Sequence, residues 1–481
     1  MLDGILLSTI NAKWIHPSLA LRLLKANLGS LEERCQIMEF ALRQPLREKT
    51  EPILAARPRV LGLSVSIWNH AATLELLKEL RKTWGEGGGP LVVLGGPEVW
   101  HLPESAEIFR YADRRVLGEG EEAFRELCET AFGENGGVDR QTANPEFRRV
   151  DLSAVKSGYG LYADEDLCKK LTYVEASRGC PYSCAFCLSA RDKGGASPLG
   201  VREFPLEPFL REMGELVRRG ARTFKFLDRS FNIDAARAKR VMEFFLGQLA
   251  RLEEARGQDA GRDPPFTAHF EMVPFRFPPE LMETLARFPP GSLRLEVGIQ
   301  TLNPEVSAIV GRPSDPSREL ENLRAIRRTT NAIVHADLIA GLPGEDMASF
   351  GRGFDALWEA LSPSVPRAVE VQLGILKALP GAPIARLPAA FGMAHNPAPP
   401  YEVTETAAIP ARDLDRVKNF ARFWELIVNR GLADVGPSPV FDRFMALSDS
   451  LLARFGRNWG IPKDDLREAL EGRGAGLWLM A

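Results

Sequence analysis

The chain has 481 residues, which at roughly 150 residues per domain asks for about three domains and excludes a single small binding module. Hydrophobic residues are 45% and charged residues 26%, ordinary globular usage that excludes a mostly disordered or collagen-like chain. Lys plus Arg (61) against Asp plus Glu (64) leaves a net charge of −3, so no whole-molecule field gathers nucleic acid or an anionic membrane.

From Leu2 to about Phe132 short β-rich runs alternate with amphipathic stretches. Strands are expected at Leu2–Ser8, Cys35–Phe40, Arg59–Ser66, Pro90–Leu94 and Arg114–Leu117, and Leu74, Leu77, Leu80 and Trp84 recur at helical spacing between the third and fourth. That alternation belongs to an α/β, flavodoxin-like doubly wound domain with a parallel sheet, whose ligand lies at the C-terminal edge of the strands. The Gly- and Asn-rich run Gly133–Asn144 breaks the pattern, placing a first domain at 1–133 and a linker at 134–170.

A second alternation starts at Leu171, with strands near Leu171–Ser177, Thr223–Asp228, Phe266–Glu271, Leu293–Gln300, Ile333–Ile339 and Val369–Lys377. Six strand–helix units are too few for a closed eight-stranded barrel, so residues 171–380 read as a partial (β/α)6 barrel with functional groups at the strand C-termini. After the Pro-rich crossing Pro380–Pro410, residues 381–481 read as a small helical lid or buttress, with Leu414, Val417, Phe420, Phe423, Trp424 and Ile427 on one stripe and Gly431 as its stop. The N-terminus MLDGILLSTINAKW lacks a secretory leader and no eighteen apolar residues run together, so neither export nor a membrane span is expected.

The strongest local signal is Ser177-Arg178-Gly179-Cys180-Pro181-Tyr182-Ser183-Cys184-Ala185-Phe186-Cys187, just after a predicted strand. Only six cysteines occur, poor material for a disulfide framework, so a reducing cytoplasm and a metal site are expected. Iron–sulfur clusters usually take four cysteines, but Cys35, Cys128 and Cys168 lie far off in sequence, so one iron would stay open to substrate or cofactor. A structural zinc knuckle is the bland alternative; it normally draws ligands from two segments, and no His follows within reach.

This Cys-x3-Cys-x-aromatic-Cys spacing after the first strand of a partial barrel resembles the radical S-adenosylmethionine (radical SAM) superfamily over about Leu171 to Lys377. The resemblance implies that Cys180, Cys184 and Cys187 hold a [4Fe–4S] cluster whose open iron chelates S-adenosylmethionine, and that reductive cleavage yields a 5′-deoxyadenosyl radical. It also implies cosubstrate contacts from Phe186 in the cluster loop, Asp228 and Glu271 at the ends of strands two and three, and Gln300 in Glu296-Val297-Gly298-Ile299-Gln300. Gln300 sits in a segment similar to the fourth-strand motif of oxygen-independent coproporphyrinogen oxidases. Gly341 and Leu342, in Asp337-Leu338-Ile339-Ala340-Gly341-Leu342-Pro343-Gly344-Glu345, would lie beside the adenine. Each carboxylate alone reads equally well as a salt-bridged group, and the glycines as turn chemistry.

Two segments of the first domain resemble cobalamin-binding domains: Leu61-Gly62-Leu63-Ser64-Val65-Ser66 and Val93-Leu94-Gly95-Gly96-Pro97-Glu98. By that likeness Ser64, Ser66, Gly95 and Gly96 would surround the nucleotide tail of cobalamin, since glycine lets a bulky ligand approach the backbone. Glu119, in Gly118-Glu119-Gly120-Glu121, would close the site. The Asp-x-His-x-x-Gly motif that supplies a lower imidazole ligand in many cobalamin proteins is absent; His16 and His70 follow strands one and three. Trp14, Trp68 and Trp100 fall in the same loops, as stacking groups for a corrin or as packing.

Together these resemblances point to a cobalamin-dependent radical SAM methyltransferase acting on an unactivated carbon. Readings left open are a radical rearrangement or other C–H transformation without methyl transfer, RNA modification, and a non-catalytic cobalamin or iron–sulfur sensor. The expected partners are a small-molecule or peptide substrate and a reducing donor such as flavodoxin or ferredoxin, without nucleic acid or membrane. No catalytic acid or base is assigned, because radical abstraction needs none.

Overall fold

The computed structural model describes residues 4–85, 88–133, 148–190, 200–256, 263–361 and 369–471. The chain divides into two compact units, Met1–Ala176 with Arg202–Lys225, and Ser177–Val201 with Phe226–Ala481.

In the first unit β1 (Ile5–Asn11), β2 (Cys35–Ala41), β3 (Val60–Ser64), β4 (Leu91–Gly95) and β5 (Arg114–Arg115) form a parallel sheet in the order β2-β1-β3-β4-β5. Successive strand residues point to opposite faces, and here both faces are apolar. Ile5, Leu7, Val60 and Val93 pack with Leu21 of α1 (Leu19–Ala26) and Phe124 of the helix Gly120–Phe132. Leu6, Leu61, Leu63 and Val92 pack with Ile53 of the helix Leu46–Ala56 and with Leu76, Leu77 and Leu80 of the helix His70–Trp84. This is the doubly wound arrangement, and its strand order reverses between β1 and β3, where such sheets open a ligand crevice.

Part of the stretch read as a linker is packed. Tyr159 and Tyr162 are buried, the Arg22 guanidinium lies 4.5 Å over the Tyr162 ring, and Asn27 Nδ2 donates to the Lys156 carbonyl at 2.9 Å. Polar and aromatic residues within a nominal linker thus bind the first helix; residues 134–147 lie outside the described residues.

The strands β6 (Thr172–Val174), β7 (Thr223–Phe226), β8 (Thr267–Met272), β9 (Leu293–Gln300), β10 (Ile333–Ala340) and β11 (Val369–Ile375) follow one another in a second sheet in the order β11-β10-β9-β8-β7-β6, the sequence expected of six strand–helix units. From β8 to β11 the pairing is parallel. Alternate residues of β8, β9 and β10 are fully buried, among them Phe270, Leu295, Val297, Val334 and Ala336. The intervening positions carry His269, Glu271, Arg294, Glu296, His335 and Asp337. One face of this sheet is therefore core and the other is polar.

The C-terminal stretch is not helical throughout: a short antiparallel pair, Ala394–His395 with Val403–Glu405, precedes its helices. Phe420 and Trp424 of the helix Ala411–Trp424 meet Phe354 of the helix Met347–Leu361 at ring-centroid distances of 5.2 and 4.8 Å. Asn429 accepts from the Val371 N–H and donates to the Val371 carbonyl, both at 3.1 Å, which satisfies part of the exposed edge of β11. Gly431, with φ +63°, stops this segment as expected. No described helix is long and apolar enough to cross a membrane.

Candidate active site

The cysteine loop belongs to the second unit and is pinned at Ala185. Its N–H donates to the Val310 carbonyl at 2.7 Å, and its carbonyl accepts the Ile384 N–H at 2.8 Å. Within the loop the Cys187 N–H donates to the Cys184 carbonyl at 3.0 Å and the Ser189 N–H points at Cys187 Sγ from 3.4 Å. Cys180, Cys184 and Cys187 then line one cavity of about 360 Å³ together with Phe186, Glu271 and Gln300. Residues from three separate segments, which sequence reasoning tied to one chemistry, are thus brought to one wall.

Burial pushes the Cys180 thiol up and the Cys184 thiol to about 11, with Arg312 opposing the rise at Cys184. A metal that takes these sulfurs as thiolates must therefore displace their protons. Among the described residues no three His, Cys, Asp or Glu side chains converge as ligands of a single ion would. Cys180, Cys184 and Cys187 all line one cavity, as three thiolate ligands of one cluster must, and the residues present fit it. Cys35 and Cys128 are buried in the first unit's core.

Gln300 reaches the cavity through an irregularity. The register of β9 against β10 shifts between Gly298 and Gln300, and Gln300 adopts φ +68°, a left-handed conformation that a non-glycine residue takes at a cost. The next residue is tied down: Thr301 Oγ1 donates to Glu345 Oε1 at 2.7 Å and accepts from the Asn303 N–H at 3.0 Å. Burial pushes the Glu345 carboxyl up to about 7 against these bonds. Glu345 thus joins the ends of the fourth- and fifth-strand segments behind the cavity.

Asp228, Gly341 and Leu342 are not among the residues lining the cavity. Asp228 is buried and accepts from Ser177 Oγ at 2.5 Å, bracing the strand that leads into the cysteine loop. Leu342 is fully buried, and a Cβ on Gly341 would meet Leu414 at 3.5 Å. Arg312, which sequence reasoning missed, does line the cavity. Its only sequence signal is a Gly-Arg pair between the expected fourth and fifth strands, and nothing in local periodicity says which wall such a residue reaches.

In the first unit the predicted cobalamin residues stand at the strand C-termini. Gly96 has φ +100°, and a Cβ there would lie 2.5 Å from the Val65 carbonyl oxygen and 3.2 Å from Ser64 Oγ, so only glycine permits this meeting of the two loops. The Ser66 N–H is held by Asn69 Oδ1 at 2.8 Å. Glu119 accepts from the Val150 N–H at 2.9 Å and is ion-paired with Arg202. His16 Nδ1 lies 2.7 Å from the Tyr173 hydroxyl, with burial lowering its pKa, and His70 Nδ1 lies 2.9 Å from Glu98 Oε1. Trp14 and Trp68, on the loops after β1 and β3, are each 55% exposed. Two exposed indoles beside the switch point of a doubly wound sheet suit a large flat ligand, and this edge fits a corrin.

A B12 binding domain model matches residues 6–128 and a Radical SAM superfamily model residues 174–355. The cobalamin-dependent radical SAM methyltransferase TokK of Streptomyces tokunonensis is 27% identical over 71% of this chain and 50% of its own length. A 2-(S-pantetheinyl)-carbapenam-3-carboxylate methyltransferase of Streptantibioticus cattleyicolor is 26% identical over 68% of this chain and 48% of its own. The chain thus spans about half the length of these curated relatives. The radical S-adenosylmethionine methyltransferase TsrM of Kitasatospora setae, solved with a tryptophan substrate and a SAM analogue, shares the fold at a TM-score of 0.58 and 19% identity, covering 85% of this chain and 81% of that one. Coproporphyrinogen III oxidase of Escherichia coli reaches only 0.35 over 53% of this chain, so the fourth-strand likeness to that branch gains no structural weight. A radical SAM domain brings a [4Fe–4S] cluster and S-adenosylmethionine as cofactors, and a B12 binding domain brings cobalamin. The chain thus carries a B12 binding domain followed by a radical SAM domain, in the order expected from its motifs, and is similar to cobalamin-dependent radical SAM methyltransferases.

Proposed function

We propose that this protein methylates an unactivated carbon of a small-molecule or peptide substrate, drawing electrons from a flavodoxin- or ferredoxin-like donor. The observation that carries the reading is the single cavity lined by Cys180, Cys184, Cys187, Phe186, Glu271 and Gln300 in a chain whose other domain is a B12 binding domain. The names of the relatives support methyl transfer over other radical outcomes. When bound, the cluster supplies the electron that cleaves S-adenosylmethionine, and cobalamin supplies the methyl group.

This chain's residues have separate tasks in that scheme. Cys180, Cys184 and Cys187 bind the cluster as thiolates. Gln300, fixed by its strained backbone and by the Thr301–Glu345 hydrogen bond, presents an amide to the cosubstrate, and Glu271 offers a carboxylate to its amino group. Phe186 keeps water from the reacting centre, where a radical must be shielded. Ser64, Ser66, Gly95 and Gly96 form the floor for the cobalamin tail, with Trp14 and Trp68 against the ring. Glu119, already bonded to Arg202 and Val150, closes that floor as a structural brace. In this proposal Asp228, Gly341 and Leu342 shape the strand ends around the cosubstrate. The domain division is 1–133 for cobalamin, 134–170 as connection, 171–380 for radical chemistry and 381–481 as buttress.

The test is anaerobic reconstitution with iron, sulfide and hydroxocobalamin, then incubation with S-adenosylmethionine, a reductant and candidate substrates. Formation of 5′-deoxyadenosine and S-adenosylhomocysteine with a product heavier by one CH₂ supports the reading. Cleavage without a methylated product for any substrate consumed rejects methyl transfer.

A further inference from the structure

One guanidinium is delivered to the cysteines by the segment that follows the short helix Pro304–Ile309. Val310 accepts the Ala185 N–H at 2.7 Å. Gly311, at φ +62°, turns the chain so close to the loop that a Cβ on it would lie 3.6 Å from the Ser183 carbonyl oxygen. Arg312 comes next and lines the same cavity as Cys180, Cys184 and Cys187.

Arg312 is 8% exposed and Glu319 fully buried. The guanidinium donates from Nη1 to Glu319 Oε1 and to the Pro313 carbonyl, each at 3.2 Å, and from Nη2 to the Gly298 carbonyl at 2.7 Å. Those bonds use three of its five N–H donors. Gly298 is the residue at which β9 loses register before Gln300, so one side chain ties the cysteine loop's support to the strand end that carries Gln300. A buried ion pair costs the desolvation of both ions and is often no more stable than an apolar replacement. This pair is asymmetric: the cation is on the cavity wall, and the anion is not among the lining residues.

We propose that Arg312 sets the reduction potential of the cluster held by the three cysteines, with Glu319 as the residue that positions its guanidinium. This rests on the cluster reading above. Reduction adds one electron to a cluster already bound by three thiolates. A fixed cation beside the cluster stabilises the more negative reduced form, and a guanidinium only 8% exposed is screened less by solvent than a surface charge. Arg312 therefore raises the potential and eases electron acceptance from a one-electron reductant. Glu319, set behind it, opposes part of that effect.

The test compares anaerobically reconstituted full-length wild type with Arg312→Gln, Arg312→Lys and Glu319→Gln. Iron and sulfide per chain are measured first, followed by a redox titration read by the electron paramagnetic resonance of the reduced cluster. At equal iron content, Arg312→Gln is expected to lower the potential by about 59 mV or more, tenfold in the reduced-to-oxidised ratio of a one-electron couple. Arg312→Lys is expected to restore most of the loss, and Glu319→Gln, which removes the opposing charge but keeps a side-chain oxygen to accept from the guanidinium, to move the potential upward. An unchanged potential in iron-replete Arg312→Gln overturns the proposal. Should that variant fail to fold, the sign in Glu319→Gln decides: a rise supports the proposal, while no change or a fall overturns it. A wild type that assembles no cluster removes the cluster reading and this inference together, an outcome distinct from a normal cluster whose potential ignores residue 312.

Discussion

Both sheets are parallel, yet they treat their two faces differently. In β1, β3 and β4 nearly every residue is buried, as in a sheet with helices on both sides. In β8, β9 and β10 every second residue is core and the residues between are partly exposed. Those intermediate positions hold ion pairs: His269 with Glu296 at 3.2 Å, His335 with Asp337 at 3.1 Å and with Glu370 at 3.0 Å, and Arg294 with Glu370. Parallel strands that alternate in polarity have one face turned to something other than a helix layer. Glu271 and Gln300 lie on that face and reach the cysteine cavity. The first sheet keeps its candidate ligand groups in loops at the strand ends; the second carries polar groups along the strands themselves.

The largest expected effect is at the loop the second sheet supports. Replacing Cys184 with Ala should abolish both cluster iron and 5′-deoxyadenosine formation, measured on the same sample; full iron with unchanged product would remove the assigned role of that sulfur. Next comes a charge forced into the first sheet. Leu61 is fully buried between layers, so Leu61→Asp must bury an unpaired carboxylate and should unfold the first unit, whereas Leu61→Ala should cost about 3 kcal/mol in urea unfolding. A Glu296→Gln change on the polar face of the second sheet should leave the fold intact by circular dichroism, and unfolding there would break the contrast drawn above.

A smaller effect is expected at Gly96. Ala there meets a backbone oxygen and a positive φ, for a loss of about 2 kcal/mol together with weakened corrin uptake followed by visible absorbance. Trp68→Ala should separate the two consequences, lowering corrin retention with little change in thermal midpoint because the indole is exposed.

The ion pairs of the second sheet give a pH test. Burial pushes the His335 imidazolium down, but hydrogen bonds to Asp337 and Glu370 outweigh it and raise its pKa to about 10. Its contribution is fully present below the ordinary value of 6.5 and is lost as pH rises through about 10. Burial favours neutral Glu370, yet His335 and Arg294 hold its pKa near 2, so its contribution is present above 4.5 and lost as pH falls through about 2. His335→Gln should cost about 2 kcal/mol at pH 7, and wild type and variant should converge in urea stability as pH rises toward 10. A gap that persists to high pH would show that the ring acts by packing alone.

Much of this was legible in the sequence. Apolar runs bounded by Gly and Pro announced five strands and then six. The cysteine motif announced its loop, because three sulfurs within eight residues form a local pattern. Less legible were contacts that close over long separations. Residues 202–225, read as part of the barrel, cluster with the first unit, where the Phe209 ring meets that of Tyr159 at 6.4 Å. The stretch read as a linker contains Tyr159 and Tyr162, whose burial no local spacing foretold.

Order of the main strands, the parallel character of both sheets and the position of the cysteine loop were determined by the sequence alone, since each follows from patterns spanning a few turns of chain, whereas the antiparallel pair before the C-terminal helices was not. Tertiary structure alone decided that, of the residues the resemblance tied to the cosubstrate, Glu271 and Gln300 line the cysteine cavity while Leu342 goes to the core. It also decided that a bulge turns Gln300 to a left-handed conformation and that Arg312, more than a hundred residues from Cys184, reaches the same cavity. The reason is that a side chain's destination depends on register and on which backbone group meets another, as at Ala185 and Val310. Such pairings are selected by packing of the whole unit rather than by any repeat in the local sequence.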